Sequence, residues 1–113
     1  QLDKAWAGKP VHALVPAAYY QASSDGYAAM LRKQGYRDDE IGMHAGLADT
    51  SLQLAVAPQM VRLDALRRGP KLGAADGVFG GDPRRSSAAL GQAGVDAIVA
   101  RTVDAIRQAT AGR

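Results

Sequence analysis

Apolar residues follow a helical rhythm in the middle and at the end of the chain, and an unbroken run near its start. Leu47, Ser51, Leu54 and Ala55 recur at spacings of three and four, one face of an α-helix. Leu52 and Val56 fill much of the other side, which predicts a helix covered all round. Pro58 disfavours helix at Ala57 and marks its stop. Leu90, Val95, Ile98, Val99, Val103 and Ile106 form a second stripe, predicting a long amphipathic helix from about Arg84 to Ala109. Asp96, Arg101, Asp104 and Arg107 face the other way. Gly91 and Gly94 permit a close approach by another element, at about 1 kcal/mol each.

Val11 to Tyr20 is a continuous apolar run between Pro10 and the polar cluster Ser23, Ser24 and Asp25. Its length and flanking turn signals predict a strand buried on both faces, as in a parallel sheet. His12, near its start, reads as a surface histidine. Ser24 or Asp25 can then cap a helix with the stripe Tyr27, Met30 and Leu31, ending at Gly35. Leu2, Ala5 and Trp6 read as the last turns of another helix, closed by Gly8. Met60 to Leu63 reads as a short strand, and residues 64–76, with Gly69, Pro70 and Gly73, as an exposed loop. Gly77 to Gly81 is a glycine-rich turn, with no Gly-Lys-Ser/Thr of a phosphate loop. Asp82-Pro83 fits a cap and first helical turn, with Ser86 or Ser87 as alternative caps.

Composition narrows the class. A chain of 113 residues is one domain at most. With no cysteine it has neither disulfides nor thiolate metal ligands. No apolar run approaches the ~20 residues of a membrane span. A net charge of +3 with only 5% aromatic residues gives a solvated basic surface rather than a stacking platform for nucleic acid. The first residue is Gln1 rather than methionine, so a processed or cleaved start is expected, and the compartment, cytoplasmic or exported, is left open.

The chemistry concentrates in Gly42-Met43-His44-Ala45-Gly46-Leu47-Ala48-Asp49-Thr50-Ser51. One of only two histidines stands here between glycines that let the backbone turn tightly. Asp49 falls in the first turn of the following helix, where an acid suits the free N–H groups and the dipole. From there its carboxylate is expected to orient the His44 ring, giving a pair able to move protons near neutral pH. The plainer alternative is a structural histidine before a helix, with Asp49 a first-turn acid. Asp38, Asp39 and Glu40 precede the stretch; they are adjacent rather than spaced to converge on a metal, and read as a solvated loop or a helix start.

The segment His44 to Val61 resembles the signature of the creatininase (creatinine amidohydrolase) family: His-Ala/Gly-Gly-x-x-Glu-Thr-Ser, then an apolar helix ending near proline. His44, Gly46, Thr50 and Ser51 fall on matching positions, and Asp49 stands where the family has glutamate. A second element, Gly77-Val78-Phe79-Gly80-Gly81-Asp82-Pro83, resembles the family's late Gly-Val-x-Gly-Asp-Pro. The resemblance implies the C-terminal half of a three-layer α/β/α domain with a mostly parallel sheet. It also implies a metal-dependent hydrolase of a cyclic or linear amide C–N bond, with His44 as acid/base residue. Tyr19 and Tyr20, at the end of the expected strand, would line the substrate pocket. The zinc or manganese ligands of such an enzyme lie in its N-terminal half. None is therefore expected within residues 1–113, and a companion chain carrying that half is the expected partner, with homo-oligomers common among relatives. Two strands and four helices make a poor sheet alone, which agrees. The alternative is a non-catalytic scaffold or oligomerisation subunit that keeps the fold.

Overall fold

The computed structural model describes residues 1–111. It is mixed α/β and mainly helical. The elements are α1 (Leu2–Ala5), α2 (Ala17–Gln21), a π-helical turn (Ala22–Gly26), α3 (Tyr27–Lys33), α4 (Asp38–Ile41), β1 (Gly42–His44) and α5 (Leu47–Val56). After a 3₁₀ turn (Pro58–Met60) come α6 (Leu63–Arg68), a 3₁₀ turn (Ala74–Asp76), β2 (Phe79–Gly81), a 3₁₀ turn (Pro83–Arg85) and α7 (Ala88–Thr110). Among the described residues the sheet is a single antiparallel pair, β1 with β2, in the register His44 opposite Phe79. The expected parallel sheet is not seen there, and among the described residues no helix is long and apolar enough to cross a membrane.

The run from Val11 to Tyr20 is not a strand. Residues 11–16 are irregular, and helix begins at Ala17 behind Pro16. Pro10 and Pro16 offer no N–H to a ladder, and no described strand lies beside the run to pair with it. Leu14 and Val15 are left exposed. Ser24 and Asp25 do not cap a helix either; they lie inside a continuous helical run from Ala17 to Lys33. The hydroxyl of Ser24 donates to the Tyr20 carbonyl at 2.7 Å, within the π-helical turn.

Two of the predicted caps are both used, on successive helices. The Asp82 carboxylate accepts from the Arg84 N–H (3.1 Å) with Pro83 in the first turn. The Ser87 hydroxyl accepts from the Leu90 N–H (3.2 Å) and starts α7. Helix α5 ends at Val56, as Pro58 requires, but Val56 is exposed and Leu52 only half-buried, so α5 is not covered all round.

The core gathers where α5 crosses α7. Tyr27, Leu31, Ile41, Leu47 and Leu90 form one buried cluster, each side chain contributing about 2 kcal/mol by leaving water. Gly91 lies against the backbone carbonyl of Ser51, and Gly94 against the Tyr27 ring and Leu52. Side chains there would separate the helices. Polar groups sealed into the crossing are paired. The Tyr27 hydroxyl donates to the Leu90 carbonyl (3.1 Å), and its pKa is pushed up to about 12, chiefly because burial disfavours the phenolate. The fully buried Ser86 hydroxyl donates to the Leu47 carbonyl (3.3 Å), and that of Ser51 accepts from the Ser87 N–H (3.3 Å).

Beyond Gly94 the molecule becomes thin. Its radius of gyration is 17.5 Å, against about 13 Å for a compact chain of this length. The distal half of α7 meets mainly the N-terminal segment. Val99, Val103 and Ile106, which the stripe predicts as core-facing, stay exposed.

The close crossing gives a direct test. Gly91→Ala places a methyl group on the Ser51 carbonyl and is expected to cost at least about 2 kcal/mol in chemical unfolding. Gly73→Ala, which meets nothing within 4 Å, is expected to change stability by less than about 0.5 kcal/mol.

Candidate active site

Local backbone chemistry builds the His44 turn. Glycines 42, 46 and 81 meet where β1, β2 and the start of α5 converge. A Cβ on Gly42 would lie 2.7 Å from the Gly81 Cα, and one on Gly81 would lie 2.7 Å from the Gly46 Cα. Only bare backbones fit at such distances. Gly42 also has φ +78°, a conformation costly for any other residue. This contact joins the segments Gly42–Ser51 and Gly77–Pro83 that stood out in the sequence. The His44 and Phe79 rings face one another across the strand pair, centroids 6.0 Å apart.

Ala45 is the described non-glycine residue with positive φ, +52°. Two side chains from the first turn of α5 hold it there. The Asp49 carboxylate accepts from the Ala45 N–H at 2.9 Å, and the Thr50 hydroxyl donates to the Ala45 carbonyl at 3.3 Å. Asp49 thus binds the loop backbone, and no hydrogen bond joins it to the His44 ring among the described residues. The expected ring-orienting contact is replaced by a hold on the peptide after it. The shorter arm of aspartate from the first helical turn reaches that nearer N–H.

His44, Ala45, Asp49, Thr50 and Gln53 form one wall of a cleft of about 610 Å³. The facing wall comes from Met60, Val61, Arg62, Ala65 and Leu66. Leu72, Val78 and Pro83 complete an apolar lining. Met60, Val61 and Arg62 come from a 3₁₀ turn and irregular chain, where the sequence predicts a short strand; Ala65 and Leu66 belong to α6, in a segment the sequence assigns to an exposed loop. Its signals were present: Leu63 and Leu66 three apart, Asp64 in the first turn, Arg67 and Arg68 in the last, and Gly69 after it. Tyr19 and Tyr20 are elsewhere. They project from α2, exposed, stacked edge-to-face at 5.2 Å, and do not line this cleft. The physical reason is that α2 belongs to the N-terminal segment beside α7, not to a strand ending at the site. His12 is likewise in that segment, exposed, 3.9 Å from the Asp3 carboxylate.

Glu40 braces the site from behind. Its buried carboxylate accepts from the Arg37 N–H (3.2 Å) and from the Arg85 guanidinium (2.6 Å), which lies over the Tyr36 ring. Its carbonyl accepts from the Asp82 N–H (3.0 Å), tying α4 to the turn after β2. Burial alone would raise the Glu40 pKa; the Arg37 N–H and Arg85 together outweigh it and hold it below the usual carboxylate range. The Arg84 guanidinium depresses Asp82 in the same way. The acidic trio is therefore a helix start whose third member is structural.

Residues 4–106 match the sequence model of the creatininase family, described as creatinine amidohydrolase. The chain belongs to the creatininase family. No curated protein and no solved structure matches it. The two creatininase-like elements recognisable in the sequence are the ones that pair here as β1 and β2, beside a cleft. A resident metal does not fit this chain's cleft. Among the described residues no group of three or more His, Cys, Asp or Glu could hold one. His44 and Asp49 are the two ligand-type side chains on its wall, and Asp49 is engaged with backbone.

The hold on Ala45 can be measured. Asp49→Ala is expected to lower stability by about 1–2 kcal/mol in urea unfolding. Ala45→Gly, which relieves the positive φ, is expected to raise it by about 0.5 kcal/mol. A destabilised Ala45→Gly would show that the turn carries no strain.

Proposed function

We propose that this chain is the C-terminal half of a creatininase-type amidohydrolase and supplies the proton-transfer histidine for hydrolysis of a small cyclic or linear amide. The observation that carries the reading is the placement of His44 on the wall of the cleft, in the paired family elements. Hydrolysis adds water across the C–N bond: the carbonyl carbon gains oxygen and the nitrogen departs with a proton. The His44 imidazole takes a proton from the water as its oxygen bonds to the carbonyl carbon and gives it to the nitrogen as the C–N bond breaks, so the ring ends as it began. Asp49 and Thr50 act as positioning residues, fixing the peptide after His44 so that the ring is presented to the cleft.

The family's zinc or manganese would be held by residues outside this chain, on a companion carrying the N-terminal half. That half would also extend the sheet into a three-layer α/β/α domain. The exposed Leu14, Val15, Val99 and Ile106 support the existence of such a partner surface, shared with the companion or with further copies in a homo-oligomer.

The test is His44→Ala in the assembled protein, assayed on cyclic ureas, formamides and short peptides. Turnover is expected to fall by about 10²–10⁴-fold, while His12→Ala, at the other end of the molecule, leaves it unchanged. Activity that survives His44→Ala intact would remove the histidine from the reaction. Absence of any amidase activity in the native assembly would favour the scaffold alternative.

A further inference from the structure

The cleft that His44 lines also carries an arginine, and this says what kind of amide fits. Arg32, Arg37, Arg84 and Arg85 each hold a carboxylate, of Asp38, Asp39, Asp82 and Glu40 respectively. Arg62 holds none among the described residues, although it lines the cleft. Its backbone is fixed: Arg62 immediately precedes α6, and its carbonyl accepts the Leu66 N–H at 3.0 Å. Arg62 is exposed, and the cleft it lines is largely apolar, with Met60, Val61, Leu66 and Leu72 in its lining. A guanidinium without a carboxylate partner, on the lining of a largely apolar cleft, is a fork matched to a carboxylate.

We propose that Arg62 is a specificity-determining residue that anchors a carboxylate on the amide occupying the cleft. The charges on the two walls then fix the ligand's direction. The Asp49 carboxylate on the His44 side repels the anion, and Arg62 attracts it, so the neutral amide faces His44. An apolar group of the ligand packs against Leu66 and Leu72. The ligand class is an acylated amino acid or comparable small amide with one apolar arm and one carboxylate. A cleft of about 610 Å³ accommodates molecules of that size. The amide part of this inference rests on the amidohydrolase reading; the carboxylate part does not.

The experiment uses the native assembly and two matched probes, N-hexanoyl-leucine and its carboxamide, with binding followed by calorimetry and cleavage followed by amine release. The acid is expected to bind at least about tenfold more tightly than the carboxamide. Arg62→Gln is expected to erase that preference by weakening the acid alone, and Arg62→Lys to restore part of it. His44→Ala is expected to bind both probes as the native protein does and cleave neither. Equal affinity for the two probes, an acid affinity unmoved by Arg62→Gln, or no binding of either probe overturns the anchor. Arg62-dependent binding without cleavage in the native assembly leaves the anchor standing and overturns the hydrolase reading for this ligand class.

Discussion

Three bare backbones in contact organise this chain. Gly42, Gly46 and Gly81 come together because none carries a side chain, and their meeting forces β1, the start of α5 and β2 into one corner. Everything specific to the site follows from that corner. It sets the register of His44 against Phe79, and it leaves Ala45 to make the turn with positive φ. It also brings the first turn of α5 near enough for Asp49 and Thr50 to hold the Ala45 peptide from both ends.

A second constraint, the crossing of α5 and α7, supplies the rigid support. Gly91 admits the Ser51 carbonyl, and the hydroxyls buried at the crossing satisfy backbone groups that would otherwise be sealed from water. Glu40 does the equivalent on the other side of the strand pair, its charge tolerated because the Arg37 N–H and Arg85 compensate burial. The cleft is thus lined by the His44 turn and α5, together with α6 and the chain leading into it.

Much of this could be read from the amino-acid order, and the failures are instructive. The helix from Leu47, its stop before Pro58 and the caps at Asp82 and Ser87 all rest on local rules, and those rules hold. A continuous apolar stretch such as Val11–Tyr20 does not by itself distinguish a buried strand from an irregular, exposed segment; Pro16 decides for a helix start at Ala17. With that strand went the placement of Tyr19 and Tyr20 at the site. Helix α6 was hidden by Gly69, Pro70 and Gly73, which punctuate its C-terminal side and made the whole stretch look like loop. The role of Asp49 was legible as a first-turn acid, but spacing could not say whether its carboxylate would reach the His44 ring or the Ala45 N–H. Only the fold, through the glycine corner, determines that.

The most direct measurement is amide hydrogen exchange in Gly81→Ala, with Gly73→Ala as reference. The reporters are the Ala45 N–H, bonded to Asp49, and the Asp82 N–H, bonded to the Glu40 carbonyl. If the three-glycine contact holds the site together, Gly81→Ala accelerates exchange at both by at least about tenfold while amides at the α5–α7 crossing stay protected; Gly73→Ala changes neither. Full protection of Ala45 and Asp82 in Gly81→Ala would contradict the claim that this contact positions His44.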